Sequence, residues 1–269
     1  MKKAVSFIIP IKHHENASNW SEAMEHLKST LDSILSQTSS NWNCTIVVNA
    51  ESEIPKLDER IKVCRVDYGP NDSYSQGEHS IEEFRDAVKL DKGRRVLSGL
   101  NQSEDSHFVM IVDDDDFLHF RLVEFLEKDT TSNGWYIKNG YVWESGGKLL
   151  FKTNSFNELC GTSLVMRRDF LDIVVEEDLC VDYIKSIYGS HKYQIEHFEN
   201  LGLPLKPIPF FAAVYRVGHS NSHSAKKGKL LRYMLINKSL FLEPVSTLKK
   251  IFNIGFVNKS KCDTFKGLK

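Results

Sequence analysis

Runs of apolar residues alternate with amphipathic stretches from the start of this chain. Residues 5–11 (VSFIIPI) form a short β-branched and aromatic run that ends at Lys12, His13 and His14, the pattern of a strand buried on both faces. A helix should follow: Asn19 stands three residues before Glu22 as in a capping box, and Leu27, Leu31, Ile34 and Leu35 share one face. Apolar runs at 44–48 and 61–66 predict two further strands. Residues 68–80 hold Gly69, Pro70, Asn71, Asp72 and Gly77, a loop long enough to suit a lid. Phe84, Val88, Val96, Leu97 and Leu100 predict a helix that Gly93 divides in two. A strand at 107–112 and a helix at 117–127 complete the first half.

Strands alternating with helices indicate an α/β fold with a mainly parallel sheet flanked by helices. The second half is less regular. Residues 135–151 read as antiparallel hairpins with a Gly146-Gly147 turn, 181–188 and 192–201 as helices, and 210–217 as a buried strand.

With 269 residues, 41% hydrophobic and 26% charged, the chain can bury a core without metal or disulfide staples. Its five cysteines are widely spread and never paired as C-x-x-C, which suits reduced thiols in a cytoplasmic protein. The start, Met-Lys-Lys before an apolar run, has the outline of a signal peptide, but no cleavage site follows, so a buried strand is expected. A net charge of -1 conceals an asymmetry: among residues 224–269 many lysines face only Glu243 and Asp263, leaving an acidic body and a basic tail. An acidic body argues against nucleic acid as a partner.

The most informative feature is the strand at 107–112 running directly into Asp113, Asp114, Asp115 and Asp116. Four adjacent carboxylates at the end of a buried strand repel one another unless a cation or cationic groups offset them. Ligands of open α/β sheets bind outside the carboxyl ends of the strands, where this tetrad falls. Hard oxygen ligands favour Mg²⁺ or Mn²⁺ bridging to a diphosphate. The plain alternative is a solvated acidic turn capping the next helix. A Walker B strand would need a G-x-x-x-x-G-K-[ST] loop, and none occurs. A phosphotransferring aspartate would be expected with further signature residues near the first strand, where Pro10, Lys12 and His13 stand instead. Glycosidase carboxylates lie on opposite sides of a sugar rather than side by side in sequence.

At these residues the chain resembles the nucleotide-sugar glycosyltransferases of the GT-A fold, in particular the bacterial family 2 type. The opening run looks like that family's first strand, which sets Pro10 and Lys12 at the donor. The stretch 47–52 (VVNAES) is similar to its Val-Val-Asp-Asp-Gly-Ser type motif, with Asn49 and Glu51 where acidic residues contact base and ribose. The stretch 112–116 (VDDDD) matches the D-x-D-D motif, which implies Asp113 and Asp114 against the nucleotide and Asp115 on the metal. Lys92 and Arg95 fall where the family often places a basic donor contact, although a solvated helix face explains them equally. In 215–223 (YRVGHSNSH) the pattern is similar to Tyr-Arg-x-His, making His219 a candidate metal ligand with His223 as its rival.

The resemblance implies transfer of a sugar from a nucleoside diphosphate sugar to an acceptor hydroxyl, metal-dependent, in bacterial surface polysaccharide or glycolipid synthesis. The acceptor is expected to be a glycan or lipid-linked. Where the family carries an acidic pair before a helix, this chain has His191, a candidate general base, with Asp182 in reserve. That departure keeps an alternative open: a catalytically inactive sugar-nucleotide or glycan-binding protein on the same fold. The residues 161–168 (GTSLVMRR) look like the family's acceptor wall. The expected organisation is a catalytic domain over 1–223, divided into a nucleotide-binding half (1–116) and an acceptor half (117–223). A basic helical appendage over 224–269 follows. That tail suits peripheral contact with the inner face of a membrane. Ordinary helices packed on the domain are its alternative.

Overall fold

Strand β1 (Lys3–Pro10) is buried at every position from Ala4 onward, so both of its faces must be covered. The computed structural model describes residues 2–72, 80–171, 180–220 and 253–269, and shows how that is done. Helix α1 (Trp20–Leu35) and β2 (Trp42–Asn49) follow β1, then β3 (Ile61–Val66), α2 (Ile81–Gln102) and β4 (Ser106–Ile111). Strands β3, β2, β1 and β4 lie side by side and parallel. Successive side chains of a strand point to opposite faces. Phe7 and Ile9 of β1 accordingly pack with Leu27, Leu31 and Ile34 of α1, while Ile8 packs with Val96, Leu97 and Leu100 of α2.

Local chemistry sets the helix starts. Asn19 accepts the Glu22 N–H at 3.1 Å, but the Glu22 carboxylate receives the Ser220 hydroxyl rather than closing a capping box by itself. The full box is at α2, where Ser80 accepts the Glu83 N–H at 3.2 Å and Glu83 accepts the Ser80 N–H at 2.9 Å. Contrary to the sequence reading, α2 runs unbroken through Gly93. A Cβ there would stand 2.5 Å from the Ile184 carbonyl, so the glycine serves close packing rather than a break.

The expected helix at 117–127 is shorter. Phe117–Leu118 form β5, which pairs antiparallel with Val214 and Ala213, and α3 covers only Leu122–Leu126. The predicted hairpins also divide. Strand β6 (Gly134–Tyr136) joins the first sheet, whereas β7 (Gly140–Glu144) and β8 (Leu149–Thr153) form a hairpin in a second. After α4 (Phe156–Leu159), β9 (Leu164–Arg167) runs antiparallel between β4 and β6. A helical turn, α5 (Val181–Tyr183), continues as a π-helical segment Ile184–Tyr188, and α6 covers Gln194–Asn200. Strands β10 (Lys206–Pro207) and β11 (Ala213–Val217) edge the first sheet and join the second, respectively.

The tail differs from a purely helical appendage. Its described part holds β12 (Ile254–Phe256), paired antiparallel with β8, and α7 (Lys259–Thr264). Phe265 and Leu268 are buried with Phe117, Tyr141 and Trp143, and the Lys261 ammonium lies 4.5 Å over the Tyr141 ring. The rest of the expected appendage, the Tyr68–Ser80 lid centre (73–79) and His223 lie outside the described residues. No helix among the described residues is long and apolar enough to cross a membrane.

His119 sits in this seam, its ring 4.9 Å from Phe120 and Phe210 and edge-on to Phe265. Burial, with Arg121 and Lys261 nearby, pushes its imidazole down to about 4. The unfolded chain therefore takes up a proton, near pH 6.5, that the folded one refuses. Stability from this group is complete above that pH and falls between about 6.5 and 4, by up to ~1.4 kcal/mol per pH unit. Urea titrations from pH 7 to 4 should show a shallower loss for His119→Gln than for wild type, and equal slopes would contradict this.

Candidate active site

The tetrad leaves the sheet beside the end of β1. Val112 donates its N–H to the Ile8 carbonyl at 2.9 Å, prolonging the parallel pairing by one residue. Then Asp113 donates its N–H to Thr162 Oγ1 at 2.8 Å, Thr30 on α1 donates to the Asp114 carbonyl at 3.0 Å, and the Asp116 N–H turns back to the Asp113 carbonyl at 3.3 Å. Both threonines are fully buried. The backbone of the turn is thus held from three sides.

The four carboxyls meet different surroundings. Asp113 is ion-paired with Lys92 of α2. Burial works against the Lys92 charge, but Asp113 outweighs it and holds the ammonium above its ordinary range. Asp114 is pushed up to about 7 by burial and by the Asp115 and Asp113 charges, against the pull of Lys12 and His219. Burial also raises Asp115, yet the hydrogen bond from His219 Nε2, at 2.8 Å, and the charge of Arg216 hold it below the usual carboxylate range. Asp116 is fully buried and raised well above that range by burial and its acidic neighbours. It accepts the Cys160 thiol and the Arg216 N–H, each at 3.1 Å, and so ties β5 to β11.

Beneath Asp115 lie groups that the sequence reading missed or left unassigned. The Arg216 guanidinium is 3% exposed and stacks 4.5 Å over Phe117, supplying a fixed charge. His26 of α1 meets His219 edge-on at 4.5 Å and is pushed down to about 4 by burial and by Arg216. The Nδ1 atoms of His26 and His219 are both buried without hydrogen-bond partners. The signal for His26 was available: it occurs inside the apolar stripe of α1, among Ala23, Leu27 and Thr30.

The expected donor residues divide into two groups. Pro10 is buried at the end of β1, and Lys12 follows it toward Asp114. His13, 3% exposed, places Nε2 at 2.8 Å from Glu51 and accepts the Glu15 N–H on Nδ1 at 3.2 Å. His14 stacks on His13 at 4.4 Å, and its Nδ1 is 3.1 Å from Ser52 Oγ. His13, His14 and Glu51 have ligand atoms within 4.8 Å of one another. His13 accepts on Nδ1 and therefore carries its proton on Nε2, which leaves neither ring nitrogen for a metal, whereas His219, with its Nδ1 unpartnered, can move its proton there and free Nε2.

Asn49 and Arg95 lie behind the site. Asn49, 1% exposed, donates to the Tyr68 carbonyl at 2.5 Å and accepts from Arg95 at 2.7 Å, while Arg95 also holds Asp91 at 3.0 Å. This buried pair fastens β2 to α2.

His191 follows the π-helical segment. Gly189 allows the approach: a Cβ there would stand 2.0 Å from the Lys89 carbonyl. Burial and the Lys92 charge push the His191 imidazole down, and its Nε2 is buried without a hydrogen-bond partner. With Lys92, Gly161 and Tyr188 it lines a narrow throat. On its other side opens a cleft of about 750 Å³ between Tyr136, Glu158 and Tyr193. Asp182 is exposed at the start of α5 and lines neither space.

No protein-family model matches the chain, and no curated protein matches it in sequence. Among solved structures, TarS of S. aureus is 15% identical, with a TM-score of 0.47 over 81% of this chain and 37% of that one. This chain therefore spans well under half the length of that neighbour. Rv0371c of Mycobacterium tuberculosis H37Rv, in complex with manganese, is 7% identical, with a TM-score of 0.36 over 81% of this chain and 90% of that one. A Desulfovibrio desulfuricans G20 protein bearing a provisional name as a nucleotide-diphospho-sugar transferase is 11% identical, with a TM-score of 0.34 over 93% and 95%. Such overlaps are too loose to assign a role to any residue.

Two glycines test how the site is held. A Cβ on Gly161 would lie 2.6 Å from Asp113 Oδ2 and 2.9 Å from Lys92 Nζ, both ends of flexible side chains. Gly161→Ala should part that ion pair beyond about 4 Å in a crystal structure, with a melting temperature near wild type. Gly189→Ala meets backbone instead and should cost ~1–3 kcal/mol. An intact pair in the first variant, or an unchanged stability in the second, would contradict the account.

Proposed function

We propose that this chain is a glycosyltransferase of GT-A type, moving a sugar from a nucleoside diphosphate donor to an acceptor hydroxyl. The observation that carries the reading is one alignment: an ionised Asp115 paired with His219, the Lys92–Asp113 ion pair beside it, and His191 between that pair and an open cleft. Its position at the carboxyl ends of β1 and β4 is where open α/β sheets take their ligands.

The donor set suits a divalent cation. Asp115 supplies an ionised oxygen and His219 an imidazole, while the raised Asp114 records a repulsion that a cation would relieve. An imidazole beside a carboxylate favours Mn²⁺ over Mg²⁺, which prefers oxygen and retained water. When bound, such an ion would neutralise charge on the departing diphosphate.

The chain's own residues do the rest. Lys12 and Arg216 place positive charge around the tetrad, where the diphosphate leaves. Glu51, held by His13, faces the donor's nucleoside end. Pro10 shapes the end of β1, and Asn49 with Arg95 serves as a strut rather than a contact surface. His191, with its imidazole pushed toward the neutral form, accepts the acceptor's hydroxyl proton at Nε2. Asp182, exposed on α5, has no part in this proton transfer.

In the same reading the enzyme works in the cytoplasm on a glycan or lipid-linked acceptor of surface polysaccharide or glycolipid synthesis, without nucleic acid. The strand and helix at 254–264, with Phe265 and Leu268, belong to the catalytic domain, and the basic segment 224–252 carries any contact with a membrane surface.

Manganese-dependent release of nucleoside diphosphate from a sugar donor is the direct test. Asp115→Asn should lower turnover by at least ~10²-fold. His191→Ala should lower it by ~10²–10⁴-fold while leaving nucleotide affinity within a few-fold. Full turnover in the Asp115 variant would defeat the proposal, and nucleotide binding with no turnover for any donor would favour a silent binding protein.

A further inference from the structure

Among the described residues, Tyr193 is the one non-glycine residue with positive φ, at φ 63° and ψ 3°. It is also 80% exposed. A bulky side chain in the left-handed region is strained, and such strain concentrates where a binding or reacting group must be aimed. The loop that carries it is firmly built. Gln194, 2% exposed, donates from Nε2 to the carbonyls of Ser186, Ile187 and Ser190, at 2.5, 3.1 and 3.3 Å, and the Lys192 N–H bonds Ser190 Oγ at 3.2 Å. One anchor therefore fixes both His191 and, two residues on, Tyr193.

Tyr193 lines the cleft of about 750 Å³ together with Tyr136, Asn154 and Asn157. That volume falls within the ~300–1,000 Å³ of small-molecule sites. The two amides offer donors and acceptors alike, as a polyhydroxylated ligand requires, since every sugar hydroxyl both gives and takes a hydrogen bond. The exposed aromatic face supplies the complementary apolar surface. Charge narrows the choice further. Lys138 and Lys192 are outnumbered by Glu158, Glu196 and Glu199 around the cleft, so an anionic polymer meets no cationic excess there.

We infer that this cleft binds an uncharged oligosaccharide, one ring of which stacks on Tyr193 and presents a hydroxyl toward His191. The inference rests on the transferase reading for what then happens to the glycan, and not for its binding.

The test uses the full chain on a printed array of neutral, sulfated, phosphorylated and sialylated glycans, with Tyr193→Phe and Tyr193→Gly beside wild type. Wild type and Tyr193→Phe should bind neutral glycans in preference to the anionic ones. Tyr193→Gly should lose at least tenfold in binding, yet melt no lower than wild type, because glycine adopts this backbone conformation without strain. A merely structural tyrosine would instead lower the melting temperature and leave binding unchanged. No glycan binding, a preference for anionic glycans, or undiminished binding by Tyr193→Gly would each overturn the inference. Titration of wild type with UDP, GDP, CDP and dTDP and Mn²⁺ reads the transferase proposal separately: absent nucleotide binding would end that proposal while array binding upheld this one.

Discussion

Four consecutive aspartates at the end of a buried strand cannot all carry full charge. At ~4 Å and an effective dielectric constant near 20, each close pair of like charges costs about 4 kcal/mol, comparable with a large part of a domain's total stability. The fold answers by giving each carboxyl a different neighbour. Asp116 is buried against Cys160 and the Arg216 main chain, with its affinity for a proton raised. Asp113 takes the Lys92 ammonium, and Asp114 is raised toward neutrality. Asp115 is held firmly ionised by His219 and Arg216. The result is a graded set of acids in which one carboxylate is prepared to meet a cation.

That gradation depends on packing at some distance from the charges. Lys92 reaches Asp113 because α2 lies close against the π-helical segment, an approach that Gly93 and Gly189 permit. The same segment leads through Gly189 into His191, so the geometry that sets the ion pair also places the imidazole at the mouth of the cleft. On the opposite face, α1 brings Thr30 to the Asp114 carbonyl and His26 to His219. Each helix therefore contributes to the core and to the site through different residues of one surface.

Much of the first sheet was legible in the sequence, because strands buried on both faces leave continuous apolar runs such as 5–11 and 44–48. The tetrad was legible for the same reason: charge directly after a buried run falls where the strand leaves the sheet, here at the carboxyl end of β4. Readings failed where tertiary contact outweighed local pattern. Gly93 looked like a helix break and is a packing contact; Phe117 and Leu118 looked helical and are drawn into a strand by β11. Asn49 and Arg95 have the chemistry of ligand contacts, yet each satisfies the other in the interior, which no one-dimensional spacing reveals. The backbone of Tyr193 left no trace in the sequence at all, since tyrosine is not a residue chosen for positive φ.

Anomalous diffraction from a crystal soaked with Mn²⁺ and a nucleoside diphosphate tests the central claim most directly. The account predicts a single strong manganese peak between the Asp115 carboxylate and the His219 imidazole, in contact with the diphosphate. A peak held instead by His13, His14 and Glu51, or a diphosphate bound away from the tetrad, would contradict it.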